Sequence, residues 1–154
     1  MMGFIKLLLS FAPWLSFLII AHGSMFRLEL GLCVALGLSI IMGVLRLHRG
    51  IILWVGLAFF SAAAVLVIGF KNMWTVQYMG VLANSSLALG TWAGVATGKP
   101  FTLEYAKDHT DPSLWSSPFF LRSYTIIASA WGGAFTCNAL LAWLKMKQLF
   151  LSEL

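Results

Sequence analysis

Glu104, Asp108, His109 and Asp111 are the densest gathering of ligand-type side chains in a chain of 154 residues, and a bound metal ion is the chemistry they could serve. Spacings of four and three would bring the three carboxylates onto one face of an unbroken helix. Asp111 followed by Pro112 is a helix-start signal, however, and it interrupts such a face. No paired histidines or cysteines at ligand spacing support the cluster, so it reads as a solvated polar loop and no metal is expected. His22 and His48 close opposite ends of apolar runs and cannot ligate one haem. Gly94-x3-Gly98-Lys99-Pro100 is one residue short of a phosphate-binding loop and carries proline where the magnesium-binding hydroxyl belongs. Cys33 and Cys137 stand alone in apolar stretches and read as small buried hydrophobes. With no nucleophile elbow and no Ser-His-Asp set, neither enzymatic activity nor a cofactor is expected.

The elements that carry these residues follow from composition. Sixty percent of the chain is apolar and 10% charged, against roughly 45–50% and about 25% in soluble domains. Too little polar surface is left to cover a water-soluble globule, and a disordered chain is excluded by the same numbers. A spanning helix needs about 20 mostly apolar residues, which leads to an all-α, polytopic membrane bundle forming one integral domain with five crossings. The apolar runs lie at about 4–21, 28–47, 51–70, 78–97 and 118–144. The first has Pro13 in its middle, which should kink it, and is followed by Ala21-His22-Gly23, whose small-x-small pattern makes a cleaved signal peptide its alternative reading. Trp54 and Trp74 flank the third run as interfacial anchors. The fourth carries Asn84, Ser85, Ser86 and Thr91 and should face protein more than lipid.

Residues 98–117 are the longest polar stretch and collect Lys99, Tyr105, Lys107, His109 and Trp115. They read as one or two short interfacial helices at headgroup level, with an exposed docking surface between the fourth and fifth spans. Five crossings place Lys6, Arg46, Arg49, Lys99, Lys107 and Arg122 on one side and Arg27, Lys71, Lys145 and Lys147 on the other. The positive-inside rule then puts the N-terminus in the cytoplasm. A net charge of +5 scattered singly between apolar runs points to the lipid bilayer as partner and not to nucleic acid.

Within the spans, Gly90, Gly94 and Gly98 recur every four residues, and Ala128, Gly132 and Thr136 make a similar stripe, with Gly133 beside it. Such small-residue faces let backbones approach closely and could face each other. Asn84 and Asn138 fall at similar depth on antiparallel helices, so a carboxamide pair is expected. Trp131, Phe135 and Asn138 share a face that reads as core or as the wall of a small pocket. No ionisable side chain lies near the centre of a span, which weighs against a proton-coupled transporter.

Gly98-Lys99-Pro100, the amphipathic loop with Trp115, and a last helix bearing Trp131, Phe135 and Asn138 together resemble the intracellular septation protein A family of bacterial inner-membrane proteins. The resemblance covers about residues 94–138. It implies a multi-pass protein of the bacterial inner membrane, linked to cell division or envelope synthesis through protein contacts and not through catalysis. The expected role is therefore of interaction or structural type, with other membrane proteins or a second copy as partner. A transporter or channel subunit for a small or lipid-like molecule, with Asn84, Trp92, Trp131 and Asn138 lining a cavity, is the alternative. An accessory subunit of a larger complex is the third.

Overall fold

The computed structural model describes residue 5 and residues 8–46 and 50–152, and among these every regular element is helical. The helices are α1 (Ala12–Ile20), α2 (Met25–Val44), α3 (Ile51–Ala64), α4 (Met73–Gln77), α5 (Met79–Ala96), α6 (Phe101–Lys107) and α7 (Pro118–Ser152). A π-helical turn, Val65–Gly69, prolongs α3, and a 3-10 turn spans Pro112–Leu114. Three helical stretches are long and apolar enough to cross a membrane: Met25–Val44, Ile51–Gly69 and Pro118–Leu149. Lys6, His48 and Arg49, whose positions the sequence predicts, lie outside the described residues.

Helix boundaries have local causes. Ser24 caps α2 by accepting the Arg27 amide at 3.2 Å, and Asn72 caps α4 through the Thr75 amide at 3.0 Å. Pro13 does not kink a continuous helix. The helical path breaks at Phe11, and Pro13 sits in the first turn of α1, where its missing amide costs nothing. Asp111 behaves as expected: its carboxylate accepts the Ser113 amide at 2.9 Å, ahead of Pro112. That bond lowers its pKa. Pro118 opens α7, which runs past the expected end at residue 144 to Ser152.

Gly98-Lys99-Pro100 is a helix stop. Gly98 adopts φ +72°, its amide donates to the Val95 carbonyl at 3.1 Å, and the Lys99 amide donates to the Gly94 carbonyl at 2.8 Å. This left-handed cap satisfies the last carbonyls of α5, and Pro100, without an amide hydrogen, keeps α5 from continuing into α6. The residues that suggested a phosphate loop are thus occupied in ending α5.

The core is aromatic and small-residue packing among α1, α2, α3, α5, α6 and α7. Trp14 stacks on Phe59 at 5.3 Å and meets Phe60 at 4.8 Å, with Phe17 on the far side of Phe60. Gly56 leaves room for the Trp14 indole, since a Cβ there would lie 3.1 Å from Nε1. Against lipid tails, burying these rings gains little by leaving water. Close dispersion contact and ring geometry hold them, at about 0.5–1.5 kcal/mol per favourable aromatic pair.

The remaining apolar surface faces outward. Ile19, Phe26, Val44, Phe70, Leu89 and Phe119 are all exposed, far beyond the apolar patch a soluble monomer carries. Cys33 and Cys137 also face outward, not inward as small core residues would. Each sits on the side of its helix turned away from its neighbours.

Candidate functional site

α5 and α7 run antiparallel and form the most extensive helix pair. Their register is fixed at two levels. A Cβ on Gly80 would stand 3.8 Å from the Ala142 Cβ, and the Trp92 Nε1 donates to Thr136 Oγ1 at 3.1 Å. The Trp92 indole lies directly over Gly132, where a Cβ would be 2.8 Å from Cε2. Thr136 in turn donates to the Gly132 carbonyl at 2.8 Å, so the indole, the hydroxyl and the bare glycine form one unit.

The two small-residue stripes do not face each other. Gly90 receives Val55 of α3, whose Cγ2 would lie 2.6 Å from an added Cβ, and Gly94 receives the returning backbone at Lys99, 3.0 Å away. Gly132 alone among the three stripe glycines of α5 and α7 that contact a neighbour faces the other helix. Gly133 meets nothing within 4 Å.

The carboxamide pair does not form. The α5–α7 register does bring Asn84 level with the turn that holds Asn138, as the sequence implies. But Asn84 Nδ2 donates to the Gly80 carbonyl of its own helix at 2.8 Å, and Asn138 faces outward. Among the described residues Asn138 has no hydrogen-bond partner. The depth is right and the azimuth is not, because each residue turns the helix by about 100°.

Trp131 and Phe135 split between the two roles foreseen for them. Phe135 is buried, whereas Trp131 is 43% exposed. Both rings gather around Phe11, at 6.2 Å and 6.5 Å, and Phe101 completes the group at 6.1 Å. Phe11 and Phe101 were not marked by any motif; their only signal was an aromatic ring beside a helix break.

The 98–117 stretch divides in two. Its first half is core and not an interfacial docking surface. In α6, Phe101, Thr102, Leu103, Tyr105 and Ala106 are all buried. Thr102 Oγ1 donates to the Tyr124 carbonyl of α7 at 2.7 Å. Burial raises the pKa of the Tyr105 phenol, with a side-chain hydrogen bond to Ser10 opposing that shift. Glu104 is the one α6 side chain turned out before Lys107; desolvation raises its pKa, and the nearby Lys107 opposes the shift. The second half is exposed from Lys107 through His109, and Lys99, ahead of α6, also faces outward. Lys107 Nζ lies 5.4 Å from the Trp115 ring, and the Trp115 indole donates to the Thr110 carbonyl at 3.0 Å. No group of three or more His, Cys, Asp or Glu able to hold a metal occurs among the described residues.

The outward face of α7 is what remains. Ile126, Ala130, Ala134, Cys137 and Leu141 are exposed on the side away from buried Ala128, Gly132 and Phe135, and exposed Asn138 and half-buried Gly133 flank that face. An exposed carboxamide and several exposed small residues therefore lie on one apolar helix.

Among the described residues the protein is thus all-helical, with three helices long and apolar enough to span a membrane and an exposed carboxamide and small residues on the last of them. No protein-family model, curated protein or solved structure matches it.

Proposed function

We propose that this is a five-span protein of the bacterial inner membrane that works by helix–helix contact with a second copy or another membrane protein, in cell-envelope synthesis or division. α1 with the residues before it, and α5, supply the two crossings beyond the three apolar spans. α5 is the polar one because it packs against α3, α6 and α7 and meets lipid over little of its surface. The N-terminus and the 98–117 stretch lie in the cytoplasm.

The single observation that carries the reading is Asn138. A carboxamide in hydrocarbon loses several kcal/mol of hydration unless it finds a partner, and small neighbours let another helix come close enough to supply one. Interhelical bonds of this kind contribute about 0.6–2 kcal/mol. The packed Trp92–Gly132 seam supports contact over transport, since the indole fills the space over Gly132 between α5 and α7.

Cys137, one residue from Asn138, makes the test direct. In a Cys33→Ser background, oxidative crosslinking in native membranes should yield a Cys137-linked dimer, and Asn138→Leu should reduce its yield. A chain that stays monomeric at all protein-to-lipid ratios, with no membrane protein co-purifying in mild detergent, overturns the proposal.

A further inference from the structure

Among the clefts of the described surface, two lie at opposite ends of the bundle. One, of about 480 Å³, is lined by Phe17, His22, Met25, Met73 and Met79 among others, where α1, α2, α4 and α5 meet. The other, of about 590 Å³, lies between α2 and α3 where α2 ends, and is lined by Ser39, Gly43, Arg46, Leu53, Trp54 and Leu57 among others. We propose that this second cleft holds an acyl chain of an anionic glycerophospholipid, with the headgroup phosphate on Arg46. The inference rests on the bilayer-spanning reading above.

The groove is apolar along its length. Gly43 leaves its floor open, since a Cβ there would touch only Leu53 Cδ2, at 3.9 Å. The Ser39 hydroxyl is satisfied within α2 by the Ala35 carbonyl at 2.9 Å, so it offers the groove no unpaired donor. Trp54 is 63% exposed at the rim, one turn into α3, where an indole suits the headgroup boundary.

Arg46 identifies the occupant. It ends α2 with φ 53°, a left-handed conformation that glycine adopts freely and that costs other residues free energy. Lys71 is its counterpart at the end of α3, with φ 50°, and its ammonium bonds Glu29 at 2.7 Å. Arg46 bears the same strain without a carboxylate: among the described residues its guanidinium has no partner. A guanidinium matches a phosphodiester with two parallel hydrogen bonds. A phospholipid satisfies both halves of the site, whereas a free phosphate would leave the groove empty and an apolar partner helix would leave Arg46 unpaired.

The test is lipid retention by the full chain, measured by native mass spectrometry after release from nanodiscs of phosphatidylglycerol mixed equally with phosphatidylcholine. The parent should retain phosphatidylglycerol about tenfold over phosphatidylcholine, the discrimination one charge-assisted contact supplies. Arg46→Gln should lose that preference, and Gly43→Leu, which fills the groove, should lower retention of both lipids. Arg46→Gly relieves the backbone strain, so it should melt no lower than the parent while losing the preference. Equal retention of both lipids by the parent, an undiminished preference in Arg46→Gln, or displacement of phosphatidylglycerol by millimolar inorganic phosphate would each overturn the lipid site. Failure of the chain to enter nanodiscs at all would overturn the membrane reading instead.

Discussion

Gly132 and Gly133 are adjacent in sequence and should respond to alanine with opposite signs. At Gly132 the new methyl would stand 2.8 Å from Trp92 Cε2, 3.1 Å from Nε1 and 3.2 Å from Cδ2. Carbon atoms sit comfortably at about 3.5–4.0 Å, so the indole must retreat by several tenths of an ångström. Its bond to Thr136, already 3.1 Å, breaks with that movement. Overpacking costs about 1–3 kcal/mol, and the lost interhelical bond adds about 0.6 kcal/mol. Gly132→Ala should therefore destabilise by about 0.6–2.6 kcal/mol after allowing for its better helix propensity. Gly133→Ala meets nothing within 4 Å and should stabilise by up to about 1 kcal/mol. Steric-trapping or SDS unfolding of detergent-solubilised monomer measures both. If the two variants shift stability by the same amount, the placement of Trp92 over Gly132 is wrong. A Trp92→Phe background should remove the hydrogen-bond part of the Gly132→Ala penalty, which isolates that contribution in a double-mutant cycle.

Thr102→Val deletes the donor to the Tyr124 carbonyl and should cost about 1 kcal/mol, read in the same unfolding assay. Thr91→Val should be neutral or stabilising, because the Thr91 hydroxyl is fully buried without a partner; a clear loss of stability would contradict its placement. Asn72→Ala removes the α4 cap and should cost about 1 kcal/mol, and Asn72→Asp should restore it. Glu104 gives a pH test whose sign is set by its raised pKa. The folded state holds the proton to higher pH than the unfolded chain does, so this contribution is fully present below the ordinary value of 4.5 and lost as pH rises through the raised one. Thermal unfolding between pH 4 and 7 should therefore show the parent losing stability relative to Glu104→Gln as the pH increases.

What the sequence disclosed was mostly one-dimensional. Distance along a helix is read at about 1.5 Å per residue, which is why Asn84 and Asn138 were placed at matching depth and why the ends of α2, α3 and α5 fell within a few residues of expectation. Azimuth is different, because it depends on which neighbour each face meets. Gly90 facing Val55 and Gly132 facing Trp92 are facts about packing partners, invisible in either stripe by itself. α6 was misplaced for a related reason. Lys99, Glu104 and Lys107 gave the stretch the look of a headgroup-level loop, although five of the seven α6 residues are buried. The signal was there in Phe101-Thr102-Leu103 and Tyr105-Ala106, an apolar run interrupted by a single carboxylate. Arg46 and Lys71 offered no signal, since a left-handed backbone at a basic residue runs against the preference for glycine there.

The placement of α6 constrains biogenesis. Its surroundings come from distant parts of the polypeptide: Phe11 near one end, and Tyr124 from the final helix. While a ribosome is still synthesising residues 118–152, no pocket exists for Phe101 and Tyr105, so the nascent segment must wait outside its final berth. Closing such long-range contacts is slow and leaves greasy surface open to capture. Chains truncated before Pro118 should be cleared by quality-control proteases even though α1, α2, α3 and α5 are present, and a pulse-chase comparison with the 154-residue chain would show it.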